Sequence, residues 1–212
     1  LFMTNCNREG ILGVILAGGK SRRFGESDKF FQKLNGETLL SRVIERISTQ
    51  VDMLIINSNS ERKKFREYPY DIIQDTIPGY AGPLAGILTG MEWASEYLPE
   101  YKWVVTFAAD APFIPLDCVD KMHNTAINDD ANIVCTASGG RTHPVCALWQ
   151  TQLSKPLRVA ITQKNIRKID TWTESQNLSV VEFPIEPFDP FFNINHFEDL
   201  AQAEKISKLF RN

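Results

Sequence analysis

Two adjacent glycines, Gly18 and Gly19, follow directly on the apolar run "ILGVILA" (11–17), and Lys20, Arg22, Arg23 and Lys29 come next. Residue types in this order suit the binding of a polyphosphate. Glycines let the backbone approach a phosphate with no Cβ in the way. Successive amides make an anion-binding nest, and cationic side chains add charge-assisted bonds. The competing reading is a tight turn with a solvated basic rim. Two common phosphate motifs fail on register: the position five residues before the glycine of "GKS" (19–21) is Val14, and Lys20 stands where GxGxxG needs its second glycine. Asp110 closes a second apolar run, "KWVVTFAAD" (102–110). Magnesium takes oxygen ligands and often only one or two carboxylates plus phosphate oxygens, so a lone aspartate at a strand end suits it. The alternative is a helix cap ahead of "PFIP". In "NIN" (193–195) the amides of Asn193 and Asn195 fall on the same side of an extended segment. They could read a second substrate, complete a metal shell, or form an Asx turn before the last helix.

Other chemistries find little support. Cys6, Cys118, Cys135 and Cys146 show no paired spacing, which predicts ordinary reduced thiols rather than zinc ligands or a redox pair. His123, His143 and His196 lack metal-ligand spacing, and His143 is expected to be a packing residue at a strand edge. The 212 residues are 43% hydrophobic and 23% charged, an ordinary globular composition. The formal net charge of −3 argues against a nucleic-acid binder that relies on overall positive charge. No apolar run approaches the roughly 18 residues of a membrane span. The opening residues carry Arg8 and Glu9 and no apolar signal core. A cytoplasmic protein is expected, with Met3 as its natural start.

The elements that must position these residues alternate in type. Strands are expected at 11–17, 52–58, 70–75 and 102–110, and two more around the Gly-Gly turn of "ANIVCTASGG" (131–140) and "HPVCALW" (143–149). The second strand ends at Asn57 and the third at Asp75. "TLLSRVIERISTQ" (38–50) places Leu39, Leu40, Val43, Ile44 and Ile47 on one helical face. Further helices are expected at 82–98, opened by Pro83, at 115–127 and at 196–210. "PIEPFDP" (184–190) is a loop. Strands alternating with helices predict a single α/β domain over 11–212, a mostly parallel sheet with helices on both faces, preceded by a tail at 1–10. In such sheets ligands bind beyond the carboxyl ends of the strands, where the glycine loop lies.

The run "LAGGKSRRFGESDK" (16–29) resembles the signature of the molybdenum cofactor guanylyltransferases, within the wider nucleotidyltransferase superfamily. "QDTIPGYAGPLAGI" (74–87), "FAADAPFIP" (107–115), "RTHPVCALW" (141–149) and "FFNINHFEDLAQAE" (191–204) are similar to further family segments in the same order. The likeness spans residues 11 to about 205. It implies a Rossmann-like nucleotidyltransferase fold and transfer of GMP from GTP to the terminal phosphate of molybdopterin, or Mo-molybdopterin, with loss of pyrophosphate.

The resemblance also implies roles. Leu16, Ala17, Gly18 and Gly19 would line the nucleotide, and Arg23 and Lys29 would face its phosphates. Lys20 and Arg22 are weaker candidates. Asn57 and Asp75 would contact base or ribose, in an order left open, and Gly82 would bring a helix start close. Asp110 would hold Mg2+, while Asn193 and Asn195 would meet the acceptor or complete the metal shell. Apo-molybdoenzymes or their chaperones are the further partners implied. Phe24 stands where the family has Met, and His196-Phe197 where Thr-Pro is common. Three rivals are a cytidylyl enzyme, which usually shows LAAG, a sugar-phosphate enzyme, usually longer, and a non-catalytic nucleotide-binding adaptor.

Overall fold

Ile11 and Ile15 point to one side of the first strand and Leu12 and Val14 to the other, and all four are fully buried. A strand apolar on both faces needs cover on both, and the rest of the chain supplies it. The structure, a computed structural model, describes residues 10–18, 28–79 and 82–209. β1 (Ile11–Leu16) is followed by a 3-10 turn at Lys29–Phe31 and a small hairpin, β2 (Lys33–Leu34) and β3 (Glu37–Thr38), then by α1 (Leu39–Ile47). Next come β4 (Met53–Asn57), a 3-10 turn at Arg62–Phe65, β5 (Asp71–Ile73), α2 (Pro83–Tyr97), β6 (Trp103–Ala108) and α3 (Cys118–Asn128). The chain closes with β7 (Ile133–Ser138), β8 (Arg141–Gln150), α4 (Ser154–Thr162), α5 (Ile169–Thr173), β9 (Leu178–Phe183) and α6 (Phe197–Leu209).

One seven-stranded sheet has the order β5-β4-β1-β6-β8-β7-β9. β8 alone runs antiparallel to its neighbours, so the sheet is mostly parallel as expected. α1 and α3 cover one face through Leu40, Val43, Ile47, Val119 and Met122. α2, α4 and α5 cover the other through Leu88, Met91, Leu157 and Trp172. Each such side chain contributes roughly 1.5–3 kcal/mol on burial. Thr38 caps α1 by accepting from the Ser41 N–H at 3.0 Å, worth about 1 kcal/mol. From β1 the chain passes through α1 to β4 on one side, and from β5 through α2 to β6 on the other. The topological switch point therefore lies between the carboxyl ends of β1 and β6.

One expectation needs adjustment. β5 stops at Ile73, so Asp75 stands two residues beyond the third strand rather than ending it. His143 sits in the part of β8 that pairs with β7 alone, beyond the β6 pairing at Ala147–Gln150, and its ring packs against Phe191. The Gly-Gly turn holds: Gly139 and Gly140 have φ of 56° and 75° and join β7 to β8 as a two-residue hairpin loop. Cys118, Cys135 and Cys146 are free and buried, while Cys6 lies outside the described residues. Burial pushes the Cys135 thiol up to about 12, and burial with the neighbouring Cys146 sulfur raises Cys118 as well. Among the described residues no helix is long and apolar enough to cross a membrane.

Candidate active site

Lys29, Asp110 and Asn195 meet at the switch point. The Lys29 ammonium is ion-paired with the Asp110 carboxylate and donates to Asn195 Oδ1 at 2.8 Å. Three separate stretches of chain make this contact, and each is fixed by its own packing. Lys29 opens the 3-10 turn whose Phe30 is 6% exposed. Phe30 stacks on Phe65 at 5.7 Å between centroids, and Phe31 on Tyr68 at 6.3 Å. Asp28, just before the turn, accepts from the Lys64 ammonium at 2.8 Å.

Asp110 lies two residues past β6. The chain after it is tied to α1: the Arg46 Nε–H donates to the Ile114 carbonyl at 2.6 Å. The Gln50 amide donates to the Pro115 carbonyl at 2.8 Å and accepts from the Val119 N–H at 3.0 Å. The next helix begins at Cys118 with Asp117 at its cap position, so Asp110 caps no helix. The Asp110 carbonyl accepts from the Ile194 N–H at 3.0 Å, and Ile194 itself is fully buried against Leu34, Leu39, Phe113, Ala203 and Ile206. Ile194 thus turns inward and leaves Asn193 and Asn195 exposed on the other side. The start of α6 is capped by Asp199, which accepts from the Asn195 and His196 N–H groups at 2.7 and 2.8 Å. That leaves the Asn195 amide for Lys29 instead of an Asx turn.

A second cluster lies on the β4 side. Asn57, 3% exposed, donates from Nδ2 to the Ile73 carbonyl at 3.2 Å and to Asp75 Oδ1 at 2.9 Å. Asn59 grips the other end of Asp75: its Nδ2 donates to Asp75 Oδ2 at 2.8 Å, and its Oδ1 accepts from the Asp75 N–H at 3.0 Å. The carboxylate is thereby fixed with lone pairs left over for a ligand's N–H or O–H groups. Asn59 escaped the sequence reading, although its place two residues after Asn57 in "NSNS" was the available signal. So did the clamp behind Asp75, in which Glu92 accepts from the Thr76 hydroxyl at 2.7 Å and from Arg158 Nε–H at 2.5 Å.

Leu16 and Ala17 line the floor between the clusters. The Ala17 N–H donates to the Asn57 carbonyl at 2.9 Å, and its carbonyl accepts from the Ser58 hydroxyl at 2.9 Å. Gly18 is exposed, with open space around its Cβ position. Gly19 and Arg23, with Lys20 and Arg22, lie outside the described residues. Gly82 has φ of 70° and accepts from the Ala85 N–H at 3.1 Å at the start of α2. Gly86 is where α2 comes closest: a Cβ there would sit 2.4 Å from Asn57 Oδ1 and 2.8 Å from Leu16 Cδ2. Gly86→Ala is therefore expected to displace Asn57 and raise the nucleotide KM about tenfold, the loss of one charge-assisted bond, with the second substrate's KM unchanged. Steady-state kinetics varying each substrate in turn checks it.

The two clusters flank the carboxyl ends of β1, β4 and β6. One offers a fixed carboxylate and amides, suited to a nucleoside. The other offers a cation held by two oxygens, suited to phosphates and a divalent ion. Among the described residues no three His, Cys, Asp or Glu side chains converge as a protein-only metal cage.

The family model for the MobA-like NTP transferase domain matches residues 13–177. The molybdenum cofactor guanylyltransferase of Rhodopseudomonas palustris (strain BisB5) is 42% identical over 194 residues, covering 92% of each chain. That of Nitrobacter hamburgensis is 42% identical over 197 residues, covering 93% of this chain and 94% of the relative. The crystal structure of molybdopterin-guanine dinucleotide biosynthesis protein A from Archaeoglobus fulgidus superposes with a TM-score of 0.72 at 26% identity, covering 94% and 99% of the two chains.

Proposed function

The chain belongs to the molybdenum cofactor guanylyltransferase family, a branch of the MobA-like NTP transferases, and from that premise we propose that it transfers GMP from GTP to the terminal phosphate of molybdopterin. It is a nucleotidyltransferase. A phosphate oxygen of the acceptor forms a new bond to the α-phosphorus, and the bond from that phosphorus to the β-phosphate bridging oxygen breaks. Pyrophosphate leaves and molybdopterin guanine dinucleotide remains. A phosphate monoester has a second pKa of about 6 and is largely dianionic at neutral pH, so the reaction needs no protein base. The protein's tasks are to align the two substrates and to balance charge at the α-phosphorus.

The observation that carries this reading is the Asp110–Lys29–Asn195 contact. A carboxylate oxygen and an amide oxygen hold one cation between them. Two hard oxygens around a single positive charge fit Mg2+, which fills its remaining positions with water and phosphate oxygens. Asp110 would hold that ion, with Asn195 as the neighbouring oxygen, and the bound ion would supply Lewis-acid charge neutralisation at the triphosphate. Lys29 would contribute its ammonium to the phosphates, with Arg23 from the loop. Asp75, fixed by Asn57 and Asn59, would accept from the nucleoside, and Gly18, Gly19 and Gly82 would bring backbone close to it. Asn193, exposed beside Asn195, would meet the acceptor.

Nucleotide selectivity tests the proposal. A ligand at 100 times its Kd adds about 2.7 kcal/mol of stability. GTP with Mg2+ is expected to raise the melting temperature clearly, and CTP much less. Equal shifts for the two would remove the guanylyl assignment and leave the transferase class intact.

A further inference from the structure

Behind the Asn193–Asn195 segment lies a hydrogen-bonded chain that the reaction above does not use. The Ser138 hydroxyl, in a residue 3% exposed, is 2.8 Å from Asp189 Oδ1 and 2.7 Å from His143 Nε2. A carboxylate only accepts, so the single hydroxyl proton goes to Asp189, and His143 must donate from Nε2. The same Asp189 Oδ1 accepts from the Phe191 N–H at 2.9 Å, and the Asp189 carbonyl accepts from the Phe192 N–H at 3.2 Å. The Phe191 ring lies against His143 at 4.8 Å and edge-on to Phe183 at 5.3 Å. Burial lowers the pKa of the His143 imidazole, against the pull of the Asp189 carboxylate.

This chain is placed by the sheet. The two-residue turn at Gly139-Gly140 brings His143 opposite Thr136, and the β8 ladder slips immediately afterwards, between the Thr136 and Cys135 pairings. Pro144, which has no N–H to give a ladder, sits in that irregular stretch. His143 and Ser138 therefore stay together at the end of β7 nearest the site. From there Asp189 reaches Phe191, and Ile194 reaches the Asp110 carbonyl. Asn193 hangs between two anchors, one on the β7–β8 hairpin and one on Asp110, and Asn195 follows directly on the second.

We infer that Ser138 and Asp189, backed by His143, are positioning residues for the acceptor: they set the register of Asn193 and Asn195 opposite Asp110, and thereby the KM for molybdopterin. The inference rests on the acceptor role given to those asparagines above. A residue that acts only through Asn193 and Asn195 has no effect once both are gone, whereas a residue that merely supports the fold has the same effect in both backgrounds. Asp189→Ala is expected to raise the molybdopterin KM about tenfold in the wild-type background and less than about twofold in Asn193→Ala/Asn195→Ala, with the GTP KM nearly constant. Asp189→Asn keeps an oxygen for Phe191 and Ser138 and is expected to stay within about threefold of wild type, and Ser138→Ala to fall between.

Hydrogen exchange reads the anchor directly. Asp189→Ala is expected to speed exchange over residues 190–196 and leave β1 and β6 unchanged. Equal effects of Asp189→Ala in both backgrounds, or unchanged exchange over 190–196, overturn the positioning role itself. A wild-type molybdopterin KM in Asn193→Ala/Asn195→Ala overturns it through the acceptor reading on which it rests, and is told apart because exchange still responds.

Discussion

Asp110→Asn is expected to slow pyrophosphate release at saturating GTP and molybdopterin by at least about 100-fold, equal to ~2.7 kcal/mol of transition-state stabilisation. The substitution keeps the shape of the side chain and one of its oxygens and removes the negative charge. Asparagine caps helices about as well as aspartate, but Asp110 stands well ahead of α3 and caps nothing, so the change isolates the charge. Its backbone carbonyl still accepts from Ile194, which keeps the acceptor segment in place. The ion pair with Lys29 is lost, but both side chains are partly exposed and the ammonium keeps Asn195 Oδ1 and water, so the fold should persist. Measuring pyrophosphate release against Mg2+ concentration decides the matter. The variant should need far more Mg2+ for half-maximal rate. A wild-type rate with wild-type Mg2+ dependence would remove Asp110 from the mechanism.

The sequence revealed those parts of the fold whose signal is local. β1 and β6 are continuous apolar runs ended by glycine or aspartate. α1 carries its apolar stripe at helical spacing, and Pro83 does mark the first position of α2. Elements with weak local signals went unread. β9 exposes Leu178 and Val180 on one face and hides Val181 and Phe183 on the other, so its apolar residues follow no simple alternation. α4 tolerates Pro156 in its first turn, but it has no side-chain cap and ends in β-branched residues, so its local signal is weak. The β2–β3 hairpin is two residues a side and draws its stability from Leu34 packing beneath α6. Strand order is not a local property at all: the Gly-Gly turn reverses β8 against β7, but nothing in "RTHPVCALW" places it between β6 and β7.

The site divides the same way. The glycine loop and Asp110 stand where residue chemistry and strand ends predict a phosphate-binding cleft. Asn195 lies 166 residues from Lys29, and no spacing rule links them; only the resemblance to a family did. Asp75 was placed at a strand end, but its usefulness comes from standing two residues further on, where Asn57 and Asn59 can hold both oxygens at once. Ser138 and Asp189 carried no visible signal, because a serine near a hairpin and an aspartate in a proline-rich loop are ordinary turn residues until the sheet brings them together.

Lys29→Ala separates the two jobs that the central contact suggests. If the ammonium serves the triphosphate, its loss removes a charge-assisted bond worth roughly 1.5–3 kcal/mol, so GTP affinity or turnover should fall at least about tenfold. The same ammonium sits on the two oxygens assigned to Mg2+, and in the absence of nucleotide it competes with the ion for them. Its removal should therefore leave the Mg2+ concentration for half-maximal rate unchanged or lower it, the opposite of Asp110→Asn. Lys29→Arg keeps the charge but replaces a compact ammonium with a planar fork, and should recover only part of the loss. Isothermal titration of GTP with and without Mg2+, alongside the rate measurements, reads both terms. Lys29→Ala with unaltered GTP affinity and turnover would return Lys29 to a charged residue on the rim of the cleft. A variant that loses Mg2+ response as Asp110→Asn does would make the lysine a support for the metal ligand instead of a phosphate contact.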